Sequence, residues 1–386
     1  MIKRTKITSL DYLKIFSVAI FVIVLFSFFV WFLIKKIKTP NLPPSSDRNE
    51  KFESIVTNIF DHPYIPTLLK HKEDNKMFPY RLLYDENHKV IPIVALTAFF
   101  RNDFDIQRFD DYTNNGIKII GVTSYKTFPK PISDPTADQE TMKDTFQYTE
   151  KIKNWLCCFE DPEDYGFTSF NNLIEISESD FYDVDKTTDL PVKKYDFIYS
   201  CLRDDEENLT CPMDGWNAIN RNLKLAMACF PIMLQEFNLK ILIMGRSNCG
   251  LEEKYGDRVE IIDMLPYNEF QQKIRESRFL FVPNIYDASP RVVSEALIKD
   301  VPVLMNKTII CGTKYINYET GELFTDENDL RYHLRRLLNK YNSISPKLWW
   351  EKNYGLSKSG IKFRDFLYND SDFSSVLYNL KEVHFF

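Results

Sequence analysis

Two carboxylates, Asp287 and Glu295, stand seven residues apart with a helix start between them, at Ser289-Pro290. Serine is a good N-cap, proline loses nothing at the first helical position, and Val292, Val293, Ala296 and Leu297 recur at helical spacing. A helix amino end therefore opens just after Asp287. Its free N–H groups and partial positive charge favour a phosphate. Taken alone, the same acids also read as a solvated loop Asp and a Glu paired with Arg291 one turn earlier.

The elements around the pair decide between these readings. Phe279 to Val282 and Val301 to Leu304 are short apolar runs without polar alternation, as in strands covered on both faces of a parallel sheet. Upstream, Tyr195 to Cys201 is a strand, and Trp216 to Phe237 has apolar residues at helical spacing, with a kink expected at Pro231. Ile241 to Met244 runs into a turn at Gly245, Arg258 to Ile262 is another strand, and Tyr267 to Ser277 is a polar helix. Strands alternate with helices, which implies right-handed crossovers and a ligand at the carboxyl ends of the strands.

With Asp287, Glu295 and this order of elements in view, residues 195 to 325 resemble the donor half of retaining GT-B glycosyltransferases, with Asp at the first position of their Glu-x7-Glu motif. Thr320, Gly321 and Phe324 resemble the family's Thr-Gly-x-x-Phe turn. The resemblance implies an α/β fold of two Rossmann-like, doubly wound parallel-sheet domains. It implies transfer of a sugar from a nucleoside diphosphate sugar to a glycan, lipid or glycoprotein acceptor, with retention and no bound metal or other cofactor. Asp287 would then face the sugar and Glu295 the ribose. The family also places a basic pair at the leaving diphosphate, where charge develops. Arg203 matches the first member, but Asp214 and Gly215 stand where its Lys would be. Arg221, Arg246 or Arg291 can substitute, Arg291 best, because it lies in the first turn after Pro290. The catalytic set is thus Asp287, Arg291 and Arg203; the donor-binding set is Glu295, Ser289, Pro290, Gly245 and Arg246. Against that reading, the altered basic pair also suits a chain that keeps the fold without turnover, as a sugar-binding or scaffold partner of another transferase.

Outside this region, Ile15 to Ile34 is apolar except for two serines, long enough to span a bilayer once, and is followed by Lys35, Lys36 and Lys38 where a cleaved signal would end in small residues. The expected organisation is a tail over 1–12, a membrane helix over 13–35, and a Pro-rich stem over 36–85. An acceptor-side domain follows over 86–190, then a donor domain over 191–360 and a returning C-terminal helix over 361–386. In the acceptor-side domain, Val90 to Leu96 and Ile117 to Val122 read as strands, with weaker ones at Trp155 to Phe159 and Leu173 to Ile176. By resemblance the chain is a type II single-pass protein of the endoplasmic reticulum or Golgi.

A net charge of -6 provides no broad basic surface for nucleic acid. No Gly-x-Gly-x-x-Gly follows a strand and no Gly-Lys-Ser/Thr loop occurs, which argues against dinucleotide enzymes and NTPases. Asp103-Phe104-Asp105 and Asp183-Val184-Asp185 match an Asp-x-Asp metal pattern that chance also produces in a chain rich in Asp. Seven cysteines form no metal spacing, and Cys201 with Cys211 can close a small loop or remain as thiols. Sequons at Asn208, Asn306 and Asn369 carry no weight, and the five histidines are scattered.

Overall fold

The computed structural model describes residues 62–123, 128–129, 145–158, 172–187, 191–204, 210–246 and 249–385. The segment 13–35, expected to cross a membrane, lies outside them. Among the described residues no helix is long and apolar enough to do so.

The described strands form two sheets. The first contains β1 (Tyr80–Asp85), β2 (Val90–Leu96), β3 (Lys118–Thr123), β4 (Asn154–Cys157) and β5 (Asn172–Glu175). The second contains β6 (Tyr195–Ser200), β7 (Ile241–Met244), β8 (Val259–Ile262), β9 (Ser277–Val282), β10 (Val303–Asn306) and β11 (Gly321–Phe324). A short β12 (Val383–His384) returns to the first sheet.

The second sheet has the order β11-β10-β9-β6-β7-β8, and every pairing in it is parallel. The order reverses between β6 and β9, the switch point of a doubly wound sheet. One face packs Phe197, Phe279 and Phe281 against the helices Leu223–Pro231 and Glu327–Lys340. The other packs Ile198, Leu280 and Val303 against the helices Tyr267–Arg275, Arg291–Leu297 and Pro346–Asn353.

The first sheet departs from the expected doubly wound form. Its order is β12-β1-β2-β3-β4-β5: β2 to β5 run parallel in chain order, while at one edge β1 pairs antiparallel with both β2 and β12. Successive right-handed crossovers in one direction place their helices on one face only. That face carries Val94 and Leu96 against Leu68, Phe109 and Tyr112. Alternation sends Ile91, Ile93 and Ala95 to the opposite face, where the helices Leu356–Tyr368 and Ser371–Leu377 cover them through Phe363, Leu367, Phe373 and Leu377. Pro92, which cannot donate to a ladder, sits opposite the register irregularity between Leu82 and Tyr84.

Four local expectations change. The helix Ile65–Glu73 and β1 occupy part of the stretch read as a stem, because Leu68, Tyr80 and Leu82 are buried in the first sheet's core despite the polar residues around them. The helix expected over 216–237 is divided: Trp216–Asn220 ends, Asn222 takes a left-handed φ of 47°, and Leu223–Pro231 begins, with a π-helical turn at Ile232–Glu236 after the proline. Gly321 is not in a turn but opens β11, where a Cβ would lie 2.0 Å from the Val303 carbonyl oxygen. Cys211 pairs with Cys249, not with Cys201, which is buried. Asn306 is buried at the end of β10, and its side-chain amide donates to the Pro283 carbonyl at 3.1 Å.

Candidate functional site

A cavity of about 470 Å³ opens at the switch point of the second sheet. Its floor comes from the carboxyl ends of β6, β7 and β9 through Ser200, Met244 and Val282, and both acids of the spaced pair, Asp287 and Glu295, line it.

Asp287 lies in the loop after β9. It is ion-paired with Arg221, accepts from the Asn284 side-chain amide at 3.2 Å, and accepts weakly from the Ser289 N–H at 3.3 Å. Arg221 reaches it from the end of the helix Trp216–Asn220, where the chain turns at Asn222. Glu295 lies on the helix Arg291–Leu297 and is buried. Its Oε2 accepts from Gln271 Nε2 at 3.0 Å, and Tyr182 and Tyr267 line the same cavity. Burial first, and the Glu295 carboxylate next, push the Tyr182 phenol up to about 12; the same causes raise that of Tyr267. Arg291 is exposed, lines the cavity and makes no ion pair among the described residues, so the pairing with Glu295 one turn along is not formed.

Of the other sequence candidates Ser289 also lines the cavity, whereas Pro290, Gly245, Arg246 and Arg203 lie outside its wall. Ser289 does not cap its helix; Pro290 occupies that position, and the Ser289 hydroxyl is hydrogen-bonded to Ser177 at 2.7 Å and Ser179 at 2.9 Å, beside the short helix Glu178–Phe181. Pro290 stands behind the wall, where a Cβ on Gly312 would lie 2.5 Å from its ring. Gly245 follows β7 with a φ of +91°, and its N–H donates to the Ile262 carbonyl at 2.9 Å. Its role is to turn the chain, since a side chain there would be strained and would press on Met264.

Arg246, expected at the donor, is buried instead in an ion pair with Asp204, and it donates to the carbonyls of Leu202 at 2.7 Å and Pro212 at 3.1 Å. Asp204 in turn accepts from the backbone of Asn217 at 2.7 Å and Ala218 at 3.0 Å, so it occupies the amino end of the helix Trp216–Asn220. Burial raises the Asp204 carboxyl, but those amides and Arg246 outweigh it and hold the acid below its usual range. Arg203 is exposed beside this group and outside the cavity wall. The Asp-x-Asp matches are also engaged elsewhere: Asp105 pairs with Arg108, and Asp183 accepts from the Leu356 N–H at 2.8 Å. Among the described residues no group of His, Cys, Asp and Glu has the arrangement of a metal site.

The structure resembles several known ones at low identity. Sucrose-phosphate synthase from Thermosynechococcus elongatus is 14% identical over 78% of this chain and 76% of its own, with a TM-score of 0.48. TarM is 15% identical over 70% of this chain and 54% of its own, with a TM-score of 0.48. The pneumococcal O-GlcNAc transferase GtfA, solved with UDP and GlcNAc, is 10% identical over 62% of this chain and 50% of its own, with a TM-score of 0.44. The chain thus spans about half the length of the latter two. At these identities and scores, none of them says what this chain does. No family model matches the sequence, and no curated protein does.

Sequence reasoning did not find Tyr182, Tyr267, Gln271 or Asn284. Asn284, three residues before Asp287, carried the only local signal, because short polar side chains in a strand-end loop turn back on their neighbours. Tyr182 comes from the connector between the sheets, and nothing in its neighbourhood marks it.

Proposed function

We propose that this chain is a membrane-anchored glycosyltransferase that moves a sugar from a nucleoside diphosphate sugar to a glycan, lipid or protein acceptor. The observation that carries the reading is the convergence of Asp287 and Glu295 on one cavity at the switch point of a parallel sheet, where such folds bind their ligands. Carboxylates accept from sugar and ribose hydroxyls, and the size of the cavity suits a nucleotide with a sugar. Arg291 and Arg221, both on the wall, supply positive charge for a leaving diphosphate. Retention of anomeric configuration, independence of metal, and anchoring through residues 13–35 in the endoplasmic reticulum or Golgi belong to the same reading. The Cys211–Cys249 disulfide supports an oxidising compartment.

A second reading has its own observation. Where the resemblance calls for a Lys before the first helix of the donor domain, Asp204 holds the helix's amino end and Arg246 is locked onto Asp204. Such a chain can bind a nucleotide sugar without turning it over.

The deciding experiment is a thermal-shift screen of the full chain in detergent against nucleoside diphosphate sugars. Any hit is then followed for hydrolysis and transfer with and without EDTA, and the product anomer is read by proton NMR. Turnover in EDTA with a retained anomer supports the enzyme, and stabilisation without turnover supports the binding partner. If no nucleotide sugar stabilises the protein, both readings fall.

A further inference from the structure

Asp287 follows a strand of the second sheet, yet its neighbours in the chain are held from the side of the first. Ala288 is buried in the same apolar cluster as Ile93, Val122 and Ile176, and Tyr286 packs against that cluster. The Ser289 hydroxyl is hydrogen-bonded to those of Ser177 at 2.7 Å and Ser179 at 2.9 Å. Both of these serines are fully buried, in the connector that follows β5. The connector is tied in turn to the first sheet: the Ile176 N–H donates to the Cys157 carbonyl at 3.1 Å, and Glu178 is ion-paired with Arg81 of β1 at 2.7 Å.

The Asp287 carboxylate itself is held from the second domain, by Arg221 and Asn284. Its side chain and the backbone beside it are therefore fixed from opposite sides. We propose that Ser177 and Ser179 are positioning residues, which through the Ser289 hydroxyl fix the loop around Asp287 and so set where its carboxylate meets a ligand. Ser289 lines the cavity and the two connector serines do not, so they reach a ligand by way of Ser289 and its loop. The inference rests on the donor-site reading, in which Asp287 takes hydroxyls of the sugar and Glu295 those of the ribose. Glu295 lies on the helix that follows and is held by Gln271 of the second domain. The serine contacts should accordingly matter for the sugar and not for the nucleotide, because a hydrogen bond weakens steeply when its acceptor is misplaced.

The test is titration calorimetry of the full chain in detergent with UDP, GDP and ADP, and with UDP-glucose, UDP-N-acetylglucosamine, GDP-mannose and ADP-glucose. Ser179→Ala is the first variant, because the Ser177 side chain also caps the short helix Glu178–Phe181. It should raise the Kd of the nucleotide sugar that binds by about threefold to tenfold, as one neutral hydrogen bond allows, and leave that of the matching nucleoside diphosphate unchanged. Ser289→Ala should weaken binding of the sugar at least as much. Adding Ser179→Ala to Ser289→Ala should then weaken it no further, since the contact is already gone. Equal weakening of nucleotide and nucleotide sugar, an unchanged Kd for the sugar, or additive losses in the double variant overturn the positioning role and leave the donor site standing. Failure of the unaltered protein to bind any of these seven ligands overturns the donor site and the positioning role with it.

Discussion

Arg221 and Asp287 are ion-paired across 66 residues of sequence, the arginine from the end of a helix and the acid from the loop after β9. Both face the cavity, so the cation is held where the acid is, at the carboxyl end of the sheet.

Arg221→Met should separate the two roles of this pair. A partly exposed ion pair contributes about 0–1 kcal/mol to stability, so the melting temperature should move little. Loss of one preorganised positive group facing a developing charge costs about 100-fold in kcat, which initial-rate measurements on the donor found by the screen will read.

Glu295→Gln should weaken nucleotide binding by about tenfold to a hundredfold, the cost of losing a charged acceptor for ligand hydroxyls. Titration calorimetry measures it. An unchanged Kd would remove Glu295 from the ligand and leave it as a partner of Gln271.

Arg246→Met should act on stability rather than on the ligand. It strands the buried Asp204 carboxylate and should cost about 3–5 kcal/mol of unfolding free energy in denaturant titrations. Cys211→Ser should cost about 2–4 kcal/mol, since the bridge closes a loop with a sequence separation of 38. Peptide mapping under non-reducing conditions should recover Cys211 linked to Cys249.

Acid should loosen the returning strand. Burial holds the His384 imidazole below its usual value, with His88 lowering it further and Asp85 and Glu382 acting in the opposite sense. The unfolded chain therefore binds the proton more readily, and stability falls as pH drops below about 6.5 towards the folded value. His384→Phe should flatten that slope, and hydrogen exchange at Val383 and His384 should quicken with acid only in the unaltered protein.

The second domain was largely legible because strands such as β7 and β9 carry short runs of Ile, Leu, Val and Phe, so local pattern and final burial agree; β11, Gly321–Phe324, has no such run and read as a turn. Asp287 and Glu295 were legible for a related reason, since both lie on one strand-loop-helix unit. Arg246 misled because a basic residue after a strand looks the same in sequence whether it meets a ligand or Asp204. The two-faced cover of the first sheet was harder to read: the residues over Ile91 and Ile93 come from Phe363 to Leu377, and a one-dimensional pattern records that they are apolar but not what they cover. His88 and His384, with ring centres 5.0 Å apart, illustrate the same gap.

The way the first sheet is covered sets an order of events during synthesis. β1 to β5 leave the ribosome early, yet the cover of one face of that sheet is completed only by segment 356–385, made last. Until then Ile91, Ile93, Ile120 and Val122 lack the part of their cover that Phe363, Leu367, Phe373 and Leu377 provide, although the second domain, whose strands and helices are contiguous in the chain, can already assemble. The nascent amino-terminal half must therefore wait, open on one side, for a stretch nearly three hundred residues downstream. A chain stalled or truncated before residue 356 would present that apolar face to chaperones or to other nascent chains, so premature termination should give aggregation rather than a soluble amino-terminal fragment.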